Sequence, residues 1–161
     1  MATDLVKTLS DPSILHDSGR LLVLLPRVSD MLDQGSLQTD QVISPLVRLV
    51  ATNNAQVKAA VCDVIVRAAV VQPDLGLLMV NTLTRDLTDP NPLVRSTAIS
   101  TICVLPVLNN HAVSAIQTGL RDSNPTVRKS AVTASGKLFR HSPEVAIQGI
   151  YNNQRNRMRF F

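Results

Sequence analysis

Two arginines with matched surroundings are the residues of this sequence best placed to bind a charged group. Arg95 and Arg128 each occupy the seventh position of a ten-residue phrase that occurs twice, beginning once at Asp89 and again at Asp122. The phrase reads Asp-Pro-Asn-Pro-Leu-Val-Arg-Ser-Thr-Ala over residues 89–98 and Asp-Ser-Asn-Pro-Thr-Val-Arg-Lys-Ser-Ala over 122–131. The two guanidinium groups predict either a basic ladder that binds a ligand, or pairing with an Asp or a loop carbonyl of the adjacent repeat. The second interpretation is favoured, because exposed ion pairs contribute only about 0.2–1 kcal/mol and rarely mark a site.

Other spacings typical of catalysis or metal binding do not occur in the sequence. The three histidines, His16, His111 and His141, are far apart and have no metal-ligand spacing. There is no glycine-rich phosphate loop, no Gly-x-Ser-x-Gly motif and no pair of carboxylates on a predicted cleft. Asp63 interrupts an apolar run, and we expect its side chain to point outward from a helix. We therefore predict a protein that is not an enzyme and that needs no cofactor or metal.

The repeated phrase has the composition of a loop that ends one helix and begins the next. The side-chain oxygen of Asn91 or Asn124 can cap the free amides of the following helix, and Pro92 or Pro125 suits its first turn. Loss of such a cap costs about 1 kcal/mol. The residues that we predict as the structural repeat signature are Asp89, Asn91, Pro92, Val94, Arg95, Asp122, Asn124, Pro125, Val127 and Arg128.

The two copies of the phrase begin 33 residues apart, and this interval predicts the fold class. Val94 and Ala98 are four residues apart and share one face of a helix, as do their counterparts in the second copy. A weaker third copy, Asn-Ala-Gln-Val-Lys at residues 54–58, lies upstream and matches residues 91–95. This interval indicates an all-α fold, an α-α superhelix of antiparallel helix pairs like the armadillo/HEAT solenoids. Such solenoids bind and scaffold far more often than they catalyse.

Cap and turn signals divide the chain into predicted helices. Pro26 predicts a kink or break near Leu24–Leu25, because a proline forced into a straight helix costs about 3 kcal/mol. Pro45 lies about one turn inside its helix, where we expect it to shift the start. The predicted helices cover residues 2–10, 18–34, 39–52, 55–71, 74–88, 91–105, 109–121, 124–140 and 143–150.

The composition is that of one globular domain with a short tail. Of the 161 residues, 45% are hydrophobic and 17% are charged, which is enough apolar surface for a core. We predict a repeat domain over residues 1–150 and a basic, disordered tail over 151–161. The alternative for the tail, with its arginines and two terminal phenylalanines, is contact with a membrane surface.

Several features favour a cytoplasmic protein. No apolar run reaches the roughly 18 residues needed to cross a bilayer, and the first residues do not resemble a secretory signal. Cys62 and Cys103 are the only cysteines, and both lie in apolar helical stretches. We expect them to be small core residues in a reducing compartment rather than a disulfide or a metal site.

Aromatic residues and charge argue against a nucleic-acid interface. Residues 1–138 contain no aromatic residue, so there is no platform on which bases could stack. The formal net charge is +4, and Arg155, Arg157 and Arg159 in the tail supply three of those charges. Because the rest of the chain is nearly neutral, no nucleic-acid partner is expected.

Residues 72–99 carry a resemblance to a known family. This segment contains Pro-Asp at residues 73–74, Asn-Thr at 81–82 and Asp-Pro-Asn-Pro-Leu-Val-Arg at 89–95. In that order these motifs resemble the N-terminal trunk of the beta-adaptins, the large beta subunits of adaptor-protein coat complexes. Weaker similarity covers roughly residues 1–150. Within the family, the segment is most similar to the beta subunit of the fourth, non-clathrin adaptor complex.

The resemblance implies a scaffold in vesicle-mediated intracellular protein transport. It implies other adaptor-complex subunits as partners, together with a small GTPase and a phosphoinositide-containing membrane surface. It also implies a cytoplasmic location, peripheral on Golgi, endosomal or coated-vesicle membranes. Some family members meet acidic phosphoinositides through clustered lysines, and this chain has Arg20 and Arg27 in that region.

The sequence also departs from the family pattern. Residues 58–64 read Lys-Ala-Ala-Val-Cys-Asp-Val, where the family has Lys-Lys-Leu-Val-Tyr-Leu-Tyr. Family trunks are several times longer and continue into a hinge and an ear, which we expect this chain to lack. A short solenoid is expected to leave an uncapped apolar end near Leu138–Ile150, which should associate with something. The alternatives are an armadillo/HEAT protein-interaction module unrelated to coats and a nucleic-acid-associated helical repeat.

Overall fold

A computed structural model describes residues 2–148 and 151, and this part of the chain contains helices and no strand. Residues 143–148 are also helical. The helices are α1 (Ala2–Ser10), α2 (Ser18–Asp33), α3 (Asp40–Leu49), α4 (Ala55–Val71), α5 (Leu75–Asp86), α6 (Pro92–Val104), α7 (Asn109–Leu120) and α8 (Pro125–His141), with short 3₁₀ helices at Pro12–His16 and Pro106–Leu108. The all-α fold class built from helix pairs is therefore confirmed, and the predicted helix ends agree within three residues over the described part.

The chain divides into two compact units, Met1–Met79 and Val80–Phe161, and the division falls within α5. In the first unit, α2 packs against α4, while α3 packs against both α1 and α4. Its core consists of aliphatic side chains that are at most 2% exposed, such as Leu9, Leu21, Leu25, Leu46 and Ile65.

In the second unit, α6, α7 and α8 pack against one another in all three combinations. The face of α8 that carries Val127, Ala131, Ala134 and Leu138 is buried. Leu138 belongs to the expected apolar end of the chain and is itself fully covered. Phe139 is half exposed, and Ile150 lies outside the described residues.

Both internal prolines lie inside continuous helices. Of the kink or break expected near Leu24–Leu25, the break is absent, because α2 runs without interruption from Ser18 to Asp33 with Pro26 inside it. The kink stays a prediction. Pro26 is exposed, so water can reach the carbonyl that its missing N–H leaves without a partner, while the buried Leu25 and Val28 hold the helix on the other side. Pro45 likewise lies inside α3, which begins at Asp40.

Close packing of the second unit depends on a glycine near the end of α7. A Cβ atom at Gly119 would lie 2.6 Å from the Ile99 side chain and 2.7 Å from Cβ of Ala131. The hydrogen side chain of Gly119 therefore lets α7 approach both α6 and α8. Gly136 in α8 differs, since a Cβ atom there would meet nothing within 4 Å.

The two cysteines lie in separate units, and both thiols are buried. Burial raises the pKa of the Cys103 thiol to about 12, so it stays protonated at neutral pH. The expectation that both are small core residues is confirmed by this burial.

No single helix in the described ranges is both long and apolar enough to cross a bilayer. The bent pair Pro92–Val104 and Pro106–Leu120, with an angle of 103°, meets the length and composition criteria only when the two helices are taken together.

The helical register of α8 can be tested with two neighbouring substitutions. Val127 is fully buried, whereas Thr126 is exposed. We expect Val127→Asp to destabilise the chain by about 3–5 kcal/mol, because it buries an unpaired carboxylate. Thr126→Asp should change stability by less than about 0.5 kcal/mol, because an acidic residue suits the first turn of a helix. Similar melting temperatures for the two variants would show that the register is wrong.

The two glycines of the second unit provide a second pair of variants. Gly119→Ala should destabilise the chain by about 1–3 kcal/mol, because its methyl group overlaps the Ala131 Cβ atom, which is fixed to the backbone of α8. Gly136→Ala should instead stabilise it by up to about 1 kcal/mol, since alanine is the better helix former and the space is open. Chemical denaturation of both variants measures the contrast, and a neutral Gly119→Ala variant would disprove the close approach.

Candidate functional site

The first copy of the repeated phrase folds into a loop closed by its own side chains. The Asp89 carboxylate accepts a hydrogen bond from the backbone N–H of Asn91 at 2.7 Å. The Asn91 side chain in turn accepts one from the N–H of Leu93 at 2.9 Å and thereby caps α6, whose first residue is Pro92. Nη1 of Arg95 donates back to the carbonyl of Asp89 at 2.7 Å and also to that of Pro90. The loop and the first turn of α6 are thus tied together.

The second copy of the phrase repeats this geometry. Asp122 accepts from the N–H of Asn124 at 2.8 Å, and Asn124 accepts from the N–H of Thr126 and caps α8, whose first residue is Pro125. Nη1 of Arg128 donates to the carbonyls of Asp122 and Ser123 at 2.9 and 2.8 Å. The same residue types at the same spacing therefore form the same loop twice.

One ion pair joins the two loops. Nε and Nη2 of Arg95 donate to the two carboxylate oxygens of Asp122 at 2.7 and 2.8 Å, so the contact is bidentate. The side chains are only 14% and 9% exposed. Hydrogen bonding from Arg95 holds the pKa of the Asp122 carboxyl below its ordinary value, against the opposing effect of burial.

For Arg95, the ion pair decides between the two interpretations of the matched arginines, a ligand-binding ladder or pairing with the adjacent repeat. Arg95 contacts the Asp of the following repeat and the carbonyls of its own loop, so its guanidinium group is occupied within the protein. It holds α6 against the loop that begins α8. Among the described residues, Arg128 donates through Nη1 to the carbonyls of its own loop alone, and its side chain is exposed.

The weaker third copy forms a comparable cap in the first unit. The Asn54 side-chain oxygen accepts hydrogen bonds from the N–H groups of Gln56 and Val57, both at 3.0 Å, at the start of α4. Its amide nitrogen donates to the Ser18 hydroxyl at 3.2 Å. Lys58, which occupies the position of Arg95 in this copy, is buried, with 4% of its surface exposed.

Asp63 points outward, as expected. Its carboxylate is exposed and pairs with Arg67 one turn later at 3.1 Å, and Arg67 also contacts Asp33 on α2. The hydroxyl of Ser29 lies 3.5 Å from the same Asp63 oxygen. The arrangement is a solvated ion-pair cluster on the surface of the first unit, so it does not resemble a catalytic acid.

A polar cluster at the end of α8 was not predicted from the sequence. His141 Nε2 lies 3.0 Å from the carbonyl of Cys103, and its Nδ1 lies 3.2 Å from the hydroxyl of Ser142. That hydroxyl accepts a hydrogen bond from the amide of Asn109 at 2.7 Å. The cluster ties the end of α8 to α6 and α7. No sequence signal identifies it, because Cys103, Asn109 and the adjacent pair His141 and Ser142 come from three different parts of the chain.

The remaining candidate groups show no catalytic arrangement. Within residues 2–148 and 151, no three His, Cys, Asp or Glu side chains are grouped so that they could hold a metal ion. Arg20 and Arg27 both line a shallow groove between α1 and α2, together with Asp4. The two arginines that this chain has in the region where some family members have clustered lysines thus lie on the same groove.

The geometry defines a protein built from helix-pair repeats, with capped Asp-x-Asn-Pro loops joined by a partly buried ion pair. Residues 3–154 match the family model described as the adaptin N terminal region. The chain therefore belongs to the adaptin family, and this agrees with the solenoid class that the repeat predicts.

Individual proteins are similar to this chain over shorter segments. The chain is 36% identical to the AP-4 complex subunit beta-1 of Mus musculus over 102 residues, which are 63% of this chain and 14% of the relative. It is 40% identical to the AP-3 complex subunit beta of Schizosaccharomyces pombe over 73 residues, which are 44% of this chain and 10% of the relative. It is 37% identical to the AP-1 complex subunit beta-1 of Homo sapiens over 57 residues, which are 35% of this chain and 6% of the relative. The matched segments thus span a small part of each relative, and the resemblance to beta subunits is confirmed.

The partly buried pair of Arg95 and Asp122 leads to a prediction about stability and pH. Asp122→Asn keeps the oxygen that accepts from the N–H of Asn124 but removes the charge that pairs with Arg95, and we expect it to cost about 2 kcal/mol at pH 7. The folded-state pKa of Asp122 lies below the unfolded value, so its stabilisation is present above the unfolded pKa and is lost as the pH falls through the folded one. The difference between variant and wild type should therefore narrow below about pH 4.

Urea unfolding at several pH values measures this difference. Asp63→Asn is the matched control, because it removes a carboxylate from an exposed pair, and its effect should be much smaller. A cost for Asp122→Asn that is no larger than that of Asp63→Asn, or that does not depend on pH, would contradict the assignment.

Proposed function

We propose that this chain acts as a non-enzymatic scaffold within an adaptor-protein coat complex, in vesicle-mediated intracellular protein transport. The match to the adaptin N terminal region over residues 3–154 is the observation that carries the proposal. The similar segments of AP-4, AP-3 and AP-1 beta subunits support it. No family of enzymes is indicated by these similarities.

The local geometry supports a scaffold. Each Asp-x-Asn-Pro loop satisfies its own backbone groups, and the pair between Arg95 and Asp122 fixes the spacing between α6 and the start of α8. A surface held in this way changes little on binding, so a partner does not have to pay for ordering it. We propose that residues 1–150 form one adaptin repeat domain in which this device recurs, followed by a basic tail over 151–161. The tail lies outside the described residues except for Tyr151.

The proposed partners are other adaptor-complex subunits, a small GTPase and a phosphoinositide-containing membrane surface, with no nucleic acid among them. The exposed Arg20 and Arg27, on one groove of the first unit, are the residues that we propose to face the lipid phosphates. The proposed location is the cytoplasm, peripheral on Golgi or endosomal membranes or on coated vesicles. The alternative function, a generic armadillo/HEAT interaction module, has no observation of its own in its favour.

Co-purification from cells tests the proposal. The full chain carrying an affinity tag should bring down the sigma, mu and second large chains of one adaptor complex in comparable amounts. The Thr126→Asp variant should keep these partners, whereas Val127→Asp should lose them with the fold of the second unit. If the folded wild-type chain recovers none of these subunits, the coat assignment is wrong and the generic module becomes the better description.

A further inference from the structure

We draw no further inference here: the strongest candidate, the apolar groove of the first unit between the end of α2 and the end of α4, where Val70 and Val71 are 82% and 76% exposed, carries none, because nothing in the structure shows what covers it.

Discussion

The second unit depends on a contact in which one arginine side chain serves two loops. Nη1 of Arg95 closes the loop at the start of its own helix, while Nε and Nη2 bind Asp122 in the next loop. Asp122 is itself engaged in capping, because it accepts the N–H of Asn124. Neither charge can move without disturbing a helix start, so the pair fixes the register between repeats. This gives a nearly buried ion pair a structural role even where its net contribution to stability is small.

Small side chains allow the close helix packing that the ion pair requires. The core of the described residues has no aromatic side chain, and Gly119 lets α7 approach both α6 and α8. Thin aliphatic layers bring successive helix starts near enough for an arginine to reach the following loop. Bulky residues at these positions would separate the helices and lengthen the contact between Arg95 and Asp122. The low aromatic content and the ion pair are thus two aspects of the same close spacing.

The sequence allowed most of the fold to be predicted, because the signals involved are local. Caps such as Asn91 and Asn124 act within three residues, and the positions of Val94 and Val127 set the buried face of each helix. Of the kink or break predicted at Pro26 the break does not occur, because burial on one side of α2 and water on the other tolerate a proline inside a continuous helix. The cluster of His141, Ser142 and Asn109 could not be predicted either, because only tertiary packing brings these residues together.

The comparison of Arg95 with Arg128 shows that a repeat in sequence does not repeat every tertiary contact. The two residues occupy the same position of the repeated phrase and make the same contacts with their own loops. They differ only in what the following segment supplies, which is a carboxylate for Arg95 and none for Arg128 in the described part of the chain. The same motif therefore locks two repeats together through Arg95 and closes a single loop through Arg128. The same motif thus makes different tertiary contacts at its two positions, because only the first arginine lies within reach of a carboxylate supplied by the next loop.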